Sequence, residues 1–159
     1  MDRRRLLLAF AGGAGAALVV PHLSVREPGD GRIGATVPDG VDDVELSRTW
    51  NPPAFTEGIA ITGSRSSVTV DGGMWDGNDC SRRLSLASMG EDDGTLELLV
   101  ASVDAQEGVC DAEGAPVSYT VGVAFDDPPD SVVARQRNHV GRTWETRFQV
   151  PAASPAAER

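Results

Sequence analysis

Residues Val117–Phe125, with the sequence VSYTVGVAF, decide the fold of this chain. Hydrophobic side chains alternate there with small or polar ones: Val117, Tyr119, Val121, Val123 and Phe125 against Ser118, Thr120, Gly122 and Ala124. Successive side chains of a strand point to opposite faces, so a period of two predicts a strand buried on one side only. Such strands are typical of antiparallel sheets with one solvated face. We therefore predict a half-buried antiparallel strand here.

The chain after this strand continues the β pattern. Residues 126–130 contain two adjacent prolines and predict a turn. Residues 132–137 and 142–150 then predict a hairpin that closes near residues 138–141. In its second arm Trp144, Thr146, Phe148 and Val150 share one face. Residues 151–159, rich in alanine and proline, predict a disordered tail.

The chain before the deciding strand has the same period. Ile59 and Ile61 precede a turn at residues 63–67, and Val68 and Val70 follow it. We expect the glycine pair at residues 72–73 to break that strand. A second hairpin is predicted with its turn at residues 90–94, with inward residues Leu84 and Leu86 in one arm and Leu96, Leu98 and Val100 in the other.

About seven short strands, with turns at roughly 8–12-residue spacing, predict an all-β antiparallel sandwich, immunoglobulin-like or related. The sandwich domain is assigned to residues 58–150. Residues 23–57 are interrupted by prolines and glycines, and they predict an extended acidic lead-in with one short strand at residues 32–37.

The chain has an unusual charge composition. It carries 24 acidic and 14 basic residues, every basic residue is arginine, and the formal net charge is −10. An acidic surface without lysine is typical of a halophilic protein, since molar salt screens its self-repulsion. A GC-rich genome, which favours arginine codons, would give the same lack of lysine. With no basic stripe to neutralise phosphates, nucleic-acid binding is not expected.

The N-terminus predicts export. Arg3 and Arg4 are followed, after one residue, by Leu6 and Leu7, which fits the twin-arginine pattern. A basic segment followed by about 7–15 apolar residues is the layout of a signal peptide, and a membrane span needs roughly 20. Residues 1–22 are therefore expected to be a twin-arginine signal peptide or a short anchor. No clear cleavage site follows, so release from the cell and retention on the membrane both stay open.

The chain has two cysteines, Cys80 and Cys110. In an exported protein an even number of cysteines indicates a disulfide. One precedes the predicted hairpin with its turn at residues 90–94 and the other follows it, so both are expected at its open end. A zinc site needs four ligands at close spacing. A thiol nucleophile needs a base, for which the chain offers only His22 and His139.

Four neighbouring residues, Trp75, Asp76, Asn78 and Asp79, are candidate ligand contacts. Trp75 is expected to be partly exposed and could belong to a carbohydrate platform, whereas Trp144 is in phase with the core. With Asp71, the carboxylates could in principle hold calcium. Their spacing does not match an EF-hand loop, because Cys80 stands where a ligand is required, so no metal site is predicted.

No catalytic constellation is marked. His139 is expected in a turn, where a lone histidine is usually solvated. Many serines and acids are available for a Ser-His-Asp triad, but no G-x-S-x-G motif singles one out. We therefore expect no cofactor and no enzymatic activity.

Three motifs and a strand carry a resemblance: Gly77-Asn78-Asp79-Cys80, Asp93-Gly94-Thr95-Leu96, Gly108-Val109-Cys110 and the strand 119–125. In these features residues 50–140 resemble a group of exported haloarchaeal proteins. The resemblance implies a secreted β-domain with one disulfide and lends no catalytic residues.

The sequence thus favours a secreted or cell-surface β-sandwich module that binds a cell-envelope protein or glycan, or serves as an envelope component. The alternative is an extracytoplasmic hydrolase with a site built from serine and aspartate residues that no motif marks.

Overall fold

A computed structural model describes residues 32–76, 82–104 and 114–154, and every structural statement below refers to these residues. They form strands and no helix. The strands are β1 (Arg32–Ile33), β2 (Val41–Trp50), β3 (Gly58–Gly63), β4 (Ser67–Asp76), β5 (Arg82–Asp92), β6 (Thr95–Asp104), β7 (Ala115–Phe125), β8 (Ser131–Arg137) and β9 (Thr143–Gln149). The predicted all-β sandwich is confirmed.

The deciding segment forms β7, in the interior of the first sheet. This sheet has the order β2-β7-β4-β3, and all its neighbours are antiparallel. The predicted inward residues of β7, from Val117 to Phe125, are all buried, and the alternate residues are half-buried on the outer side. The alternation therefore marks the two faces of this sheet correctly.

The second sheet, β1-β5-β6-β8-β9, is mixed rather than wholly antiparallel. β1 is parallel to β5, and β6 is parallel to β8. The parallel pairing of β6 with β8 follows from the order of the strands along the chain, because β7 lies between them in sequence but belongs to the first sheet. The chain crosses to that sheet, runs back along it as β7 and returns, so β8 enters beside β6 in the same direction.

The core lies between the inner faces of the two sheets. Its fully buried members include Leu46 on β2, Met74 on β4, Leu86 on β5 and Val100 on β6, with Trp144 and Phe148 on β9 packed against its margin. The predicted placement of the second hairpin arm, β9, is thereby confirmed. Side chains from every long strand meet in this layer, as expected when two sheets pack face to face.

The segment expected as an extended lead-in contains a full strand of the sandwich. β2 pairs with β7 along its whole length, and its residues Val41, Val44 and Leu46 are buried in the core. The expectation for residues 23–57 therefore does not hold for residues 41–50. In β2 the inward positions include Arg48, so its alternation is not purely apolar, and a register shift between Val41 and Asp43 interrupts it further.

The two predicted hairpins are present. β5 and β6 are joined at Asp93-Gly94, where both residues have positive φ angles of 49° and 72°. Two consecutive residues with positive φ make a type I′ turn, for which Asp-Gly is a preferred sequence. β8 and β9 are joined by residues 138–142, and Asn138 accepts hydrogen bonds from the backbone N–H groups of Val140 and Arg142 at 3.2 and 2.9 Å.

The glycine pair at residues 72–73 does not break its strand. β4 continues through both residues to Asp76. A methyl group at Gly72 would overlap the ring of Tyr119, and one at Gly73 would overlap the carbonyl oxygen of Thr56. The glycines therefore admit two close neighbours, one on each face of the sheet.

Several predictions fall outside the described residues: the signal at residues 1–22, both cysteines, Asn78, Asp79 and residues 155–159. Residues 151–154 are exposed and have no regular secondary structure. In the part of the chain that the structure describes, no helix is long and apolar enough to cross a membrane.

Candidate functional site

The outer face of the first sheet is rich in hydroxyl groups. Across the strands β2, β7, β4 and β3, Ser47, Thr120, Asp71 and Ala60 form one row of cross-strand neighbours. The next row consists of Thr49, Ser118, Gly73 and Gly58. No side chain in either row is larger than aspartate or threonine, and at Gly73 the outer side of the backbone is covered by Thr56 and Phe55.

Asp71 is the charged centre of this face, and it accepts a hydrogen bond of 2.7 Å from the Thr120 hydroxyl. Two clefts meet at it. One, of about 420 Å³, lies between Asp71, Gly73 and the chain segment 56–60. The other, of about 240 Å³, extends towards β2 over the hydroxyl-bearing rows. A carboxylate shared by two clefts can accept hydrogen bonds from a ligand that occupies either of them.

Trp75 lies on the same face of β4 as Asp71, four residues further along the strand, and 49% of it is exposed. The ring of Phe55 meets it edge-to-face, with ring centroids 5.9 Å apart and an interplanar angle of 79°. This arrangement is a favourable geometry for aromatic pairs. Phe55 can therefore hold the indole in place while one side of it faces solvent.

Buried hydrogen bonds fix the strand below the site. The Tyr119 hydroxyl donates to Gln136 Oε1 at 2.8 Å, and Gln136 Nε2 donates to the carbonyl oxygen of Gly73 at 2.9 Å. Gln136 is fully buried, and it lies on β8 of the opposite sheet. The two bonds thus tie β7 and β4 to the second sheet, and they hold the backbone of Gly73 beneath the clefts.

The same arrangement changes the acidity of Tyr119. Burial raises the pKa of its hydroxyl well above the ordinary value of 10.0, and the negative charge of Asp71 raises it further. The neutral hydroxyl therefore remains a hydrogen-bond donor to Gln136 over the whole physiological pH range.

A second polar cluster lies at the end of the sandwich. Asp76 is fully buried, and its Oδ1 atom accepts a hydrogen bond of 3.2 Å from the backbone N–H of His139. His139 Nδ1 is also 3.2 Å from the same oxygen. The other carboxylate oxygen, Oδ2, is buried without a hydrogen-bond partner among the described residues. The imidazole is about one-third exposed, in the turn where it was expected.

Of the four predicted ligand contacts the structure describes Trp75 and Asp76, and these two do not share a site. Trp75 is partly exposed, as expected, but Asp76 is on the opposite side of β4 and belongs to the cluster with His139. Phe55 and the hydroxyl-bearing residues of the face, Thr120 among them, were not predicted contacts. Phe55 lies in a segment without periodicity, whereas Thr120 is an outward residue of the deciding strand and could have been found from the alternation.

Among the described residues, no group of three or more histidine, cysteine, aspartate or glutamate side chains could hold a metal ion. Asp71 and Asp76 face opposite sides of the first sheet, so these two carboxylates cannot share a cation.

Comparison of the chain with protein-family models, curated proteins and solved structures finds no match.

Proposed function

We propose that this protein is a secreted or cell-surface β-sandwich module that binds a glycan through the outer face of its first sheet. The observation that carries the proposal is the half-exposed Trp75, which Phe55 holds on the same face of β4 as Asp71, where two clefts meet. Export is the expectation from the twin-arginine pattern at Arg3 and Arg4.

The chemistry of the face suits a sugar. An aromatic ring offers a flat apolar surface on which the C–H face of a pyranose can stack. The carboxylate of Asp71 accepts hydrogen bonds from sugar hydroxyls, and the side chains of Ser47, Thr49 and Ser118 can donate or accept. An apolar contact with a few polar groups that fix orientation is the usual composition of a small-molecule site.

Binding of soluble polysaccharides and oligosaccharides, measured by affinity electrophoresis and calorimetry in molar salt, tests the proposal. Trp75→Ala should weaken binding of the recognised glycan by about tenfold or more, which corresponds to about 1.4 kcal/mol. Asp71→Asn should weaken it less, because the amide keeps one acceptor. Val140→Ala is the matched control, since Val140 is 72% exposed but lies in the β8–β9 turn. Unchanged binding by Trp75→Ala would contradict the proposal.

The Asp76–His139 pair favours a second candidate, an extracytoplasmic hydrolase. A buried carboxylate bonded to Nδ1 of a partly exposed histidine resembles the orienting half of a catalytic triad, in which Nε2 accepts a proton. Screening against ester, peptide and glycoside substrates separates the two candidates. An activity lost in His139→Gln would support the hydrolase, and a clean negative would leave the binding module.

A further inference from the structure

The outer face of the first sheet presents negative charge only. The charged residues at the outward positions of β2, β7, β4 and β3 are Asp43, Glu45 and Asp71, and none of these positions holds arginine or histidine. Among the described residues, none of the three carboxylates forms an ion pair. A ligand on this face therefore meets negative charge that the protein does not neutralise.

Asp71 is the carboxylate that borders both clefts of the candidate site. Its side chain is exposed, and the hydrogen bond of 2.7 Å from the Thr120 hydroxyl occupies one of its acceptor positions. An ionised carboxylate can accept about four hydrogen bonds, so positions remain for donors of a ligand. After burial, the negative charge of Asp71 is the second cause that raises the pKa of the Tyr119 hydroxyl.

The other charged groups at the clefts leave Asp71 unbalanced. Glu57 borders the cleft of about 420 Å³, and its Oε2 atom lies 3.4 Å from Nη1 of Arg142, so this pair is neutral as a whole. Arg48 borders the cleft of about 240 Å³, but it stands at an inward position of β2 and its Nη1 atom is buried. Its guanidinium lies over the ring of Trp50, 5.5 Å from the centroid. The unbalanced charge where the clefts meet is thus negative.

We propose that the glycan bound by this face carries free amino groups, one of which pairs with Asp71; this inference rests on the proposed function. An ammonium group supplies three donors, and its hydrogen bonds to a carboxylate are roughly twice as strong as those between neutral groups. The hydroxyl of a neutral sugar lacks this contribution of charge. A uronic acid is disfavoured, because Asp71 repels its carboxylate and no outward position of the sheet holds a guanidinium to receive it.

The spacing of the two contacts sets the size of the ligand. Trp75 and Asp71 are four residues apart on β4. At about 3.3 Å per residue this separation is about 13 Å, which is longer than one sugar ring. A ligand that stacks on the indole and also reaches the carboxylate must therefore be an oligosaccharide.

The experiment compares three hexasaccharides that share a β-linked glucose-type backbone and differ at the second carbon of each ring. Cellohexaose has a hydroxyl group there, the N-acetylglucosamine hexamer an acetamide, and the glucosamine hexamer an amine. Calorimetry with the full chain is performed at about pH 6, above the ordinary titration range of side-chain carboxyls. At about 0.15 M salt we expect the glucosamine hexamer to bind about fivefold more tightly than the other two, close to the most that an exposed ion pair contributes. Salt at about 1 M should reduce this preference, because it shortens the Debye length to about 3 Å.

Two variants that remove one carboxylate each test the location. Asp71→Asn should reduce the preference for the glucosamine hexamer to less than about twofold, because the amide has no charge to pair with the amine. Glu91→Gln makes the same change of net charge at an exposed position of β5, in the other sheet, and should retain the preference. Circular dichroism checks that both variants are folded.

The inference and the proposed function fail in different ways. The inference is overturned if the wild-type protein binds the three hexamers equally, if Asp71→Asn keeps the preference, or if polygalacturonate binds as tightly as the glucosamine hexamer. Glycan binding by this face still stands in those cases, provided that Trp75→Ala weakens the binding that is observed. If no hexamer binds, or if Trp75→Ala binds them all unchanged, the proposed function falls and the inference falls with it.

Discussion

At the scale of single residues, Gly72 decides whether the two sheets can be joined through Tyr119. The tyrosine ring lies directly across from Gly72 in the pairing of β4 and β7, and it occupies the space where a Cβ atom would be. From there its hydroxyl reaches Gln136 on the opposite sheet. The glycine therefore makes room for a buried polar link that positions the strand under the candidate site.

Gly72→Ala should destabilise the protein by about 1–3 kcal/mol, because the added methyl group must displace the buried ring. Gly122→Ala is the control, since a Cβ atom there has no neighbour within 4 Å. This substitution is expected to be neutral or slightly stabilising. Alanine allows the unfolded chain fewer conformations than glycine does, so less conformational entropy is lost on folding. Denaturant unfolding at fixed salt measures both variants. Equal stability of the two would contradict the steric role of Gly72.

The ionisation of Tyr119 gives a test at the same scale. It is the single tyrosine of the chain, so tyrosinate absorbance reports on it alone. Because burial and Asp71 raise its pKa above the ordinary value of 10.0, the folded protein should not titrate near that value. The unfolded chain does titrate there, so the stabilising contribution is complete below pH 10 and declines as the pH rises above it.

Spectrophotometric titration of the folded protein, compared with the same titration in denaturant, measures this difference. We expect the tyrosinate signal to appear together with the loss of structure seen by circular dichroism. A folded protein that titrates reversibly with a midpoint near 10.0 would show that Tyr119 is accessible.

At the scale of strands and connections, much of the fold followed from alternation, and the exceptions have physical causes. β7 and the two hairpins were predicted because their inward residues are apolar and their turns contain Asp-Gly, proline or Asn. β2 was missed because Arg48 stands at an inward position near its end. The continuity of β4 was missed because no local signal distinguishes glycines that end a strand from glycines that admit Tyr119 and Thr56.

The candidate site depended on information that alternation does not contain. The partial exposure of Trp75 was predicted from its place between Met74 and Asp76, in contrast to Trp144, which is in phase with the core. Its partner Phe55 precedes β3, and only the path of the chain brings the two rings together. The separation of Trp75 from Asp76 follows from their adjacent positions on β4. It was missed because the glycine pair at residues 72–73 was expected to break that strand.

The predicted disulfide between Cys80 and Cys110 can be argued at this scale, although both cysteines lie outside the described residues. Asp76 and Ala115 are paired neighbours in the first sheet, and Arg82 and Asp104 are paired neighbours in the second. Each cysteine lies in a connection that runs between these two pairs of strand ends. The connections therefore start and finish side by side, at one end of the sandwich.

Intact mass after alkylation under denaturing conditions should show no free thiol. Reduction should lower the free energy of unfolding by about 3–4 kcal/mol, since the closed loop has about thirty residues. The double variant Cys80→Ser and Cys110→Ser provides the control, and reducing agent should leave its stability unchanged. Two alkylated cysteines in the unreduced protein would contradict the disulfide.

At the scale of the whole molecule, the charge is distributed unevenly between the two outer faces. The outer face of the first sheet carries Asp43, Glu45 and Asp71. The outward strand positions of the second sheet carry three carboxylates, Asp92, Glu97 and Glu145, and four arginines, Arg83, Arg135, Arg137 and Arg147. The excess of acid thus lies on the first face, the edges and the connections.

This distribution predicts that salt stabilises the fold. With a net charge of −10, folding brings like charges closer together, and the repulsion is strongest when the Debye length is long. Raising the salt concentration from about 0.1 M to about 1 M shortens that length from about 10 Å to about 3 Å, so the melting temperature should rise. Comparing potassium chloride with sucrose separates screening of charge from the general exclusion of solutes from the protein surface.

The ion pairs of Arg135 with Glu97 and Glu145 are exposed, and they oppose this trend weakly, because salt also screens the attraction between opposite charges. A melting temperature that falls with salt would show that such pairs, and not the net charge, control stability.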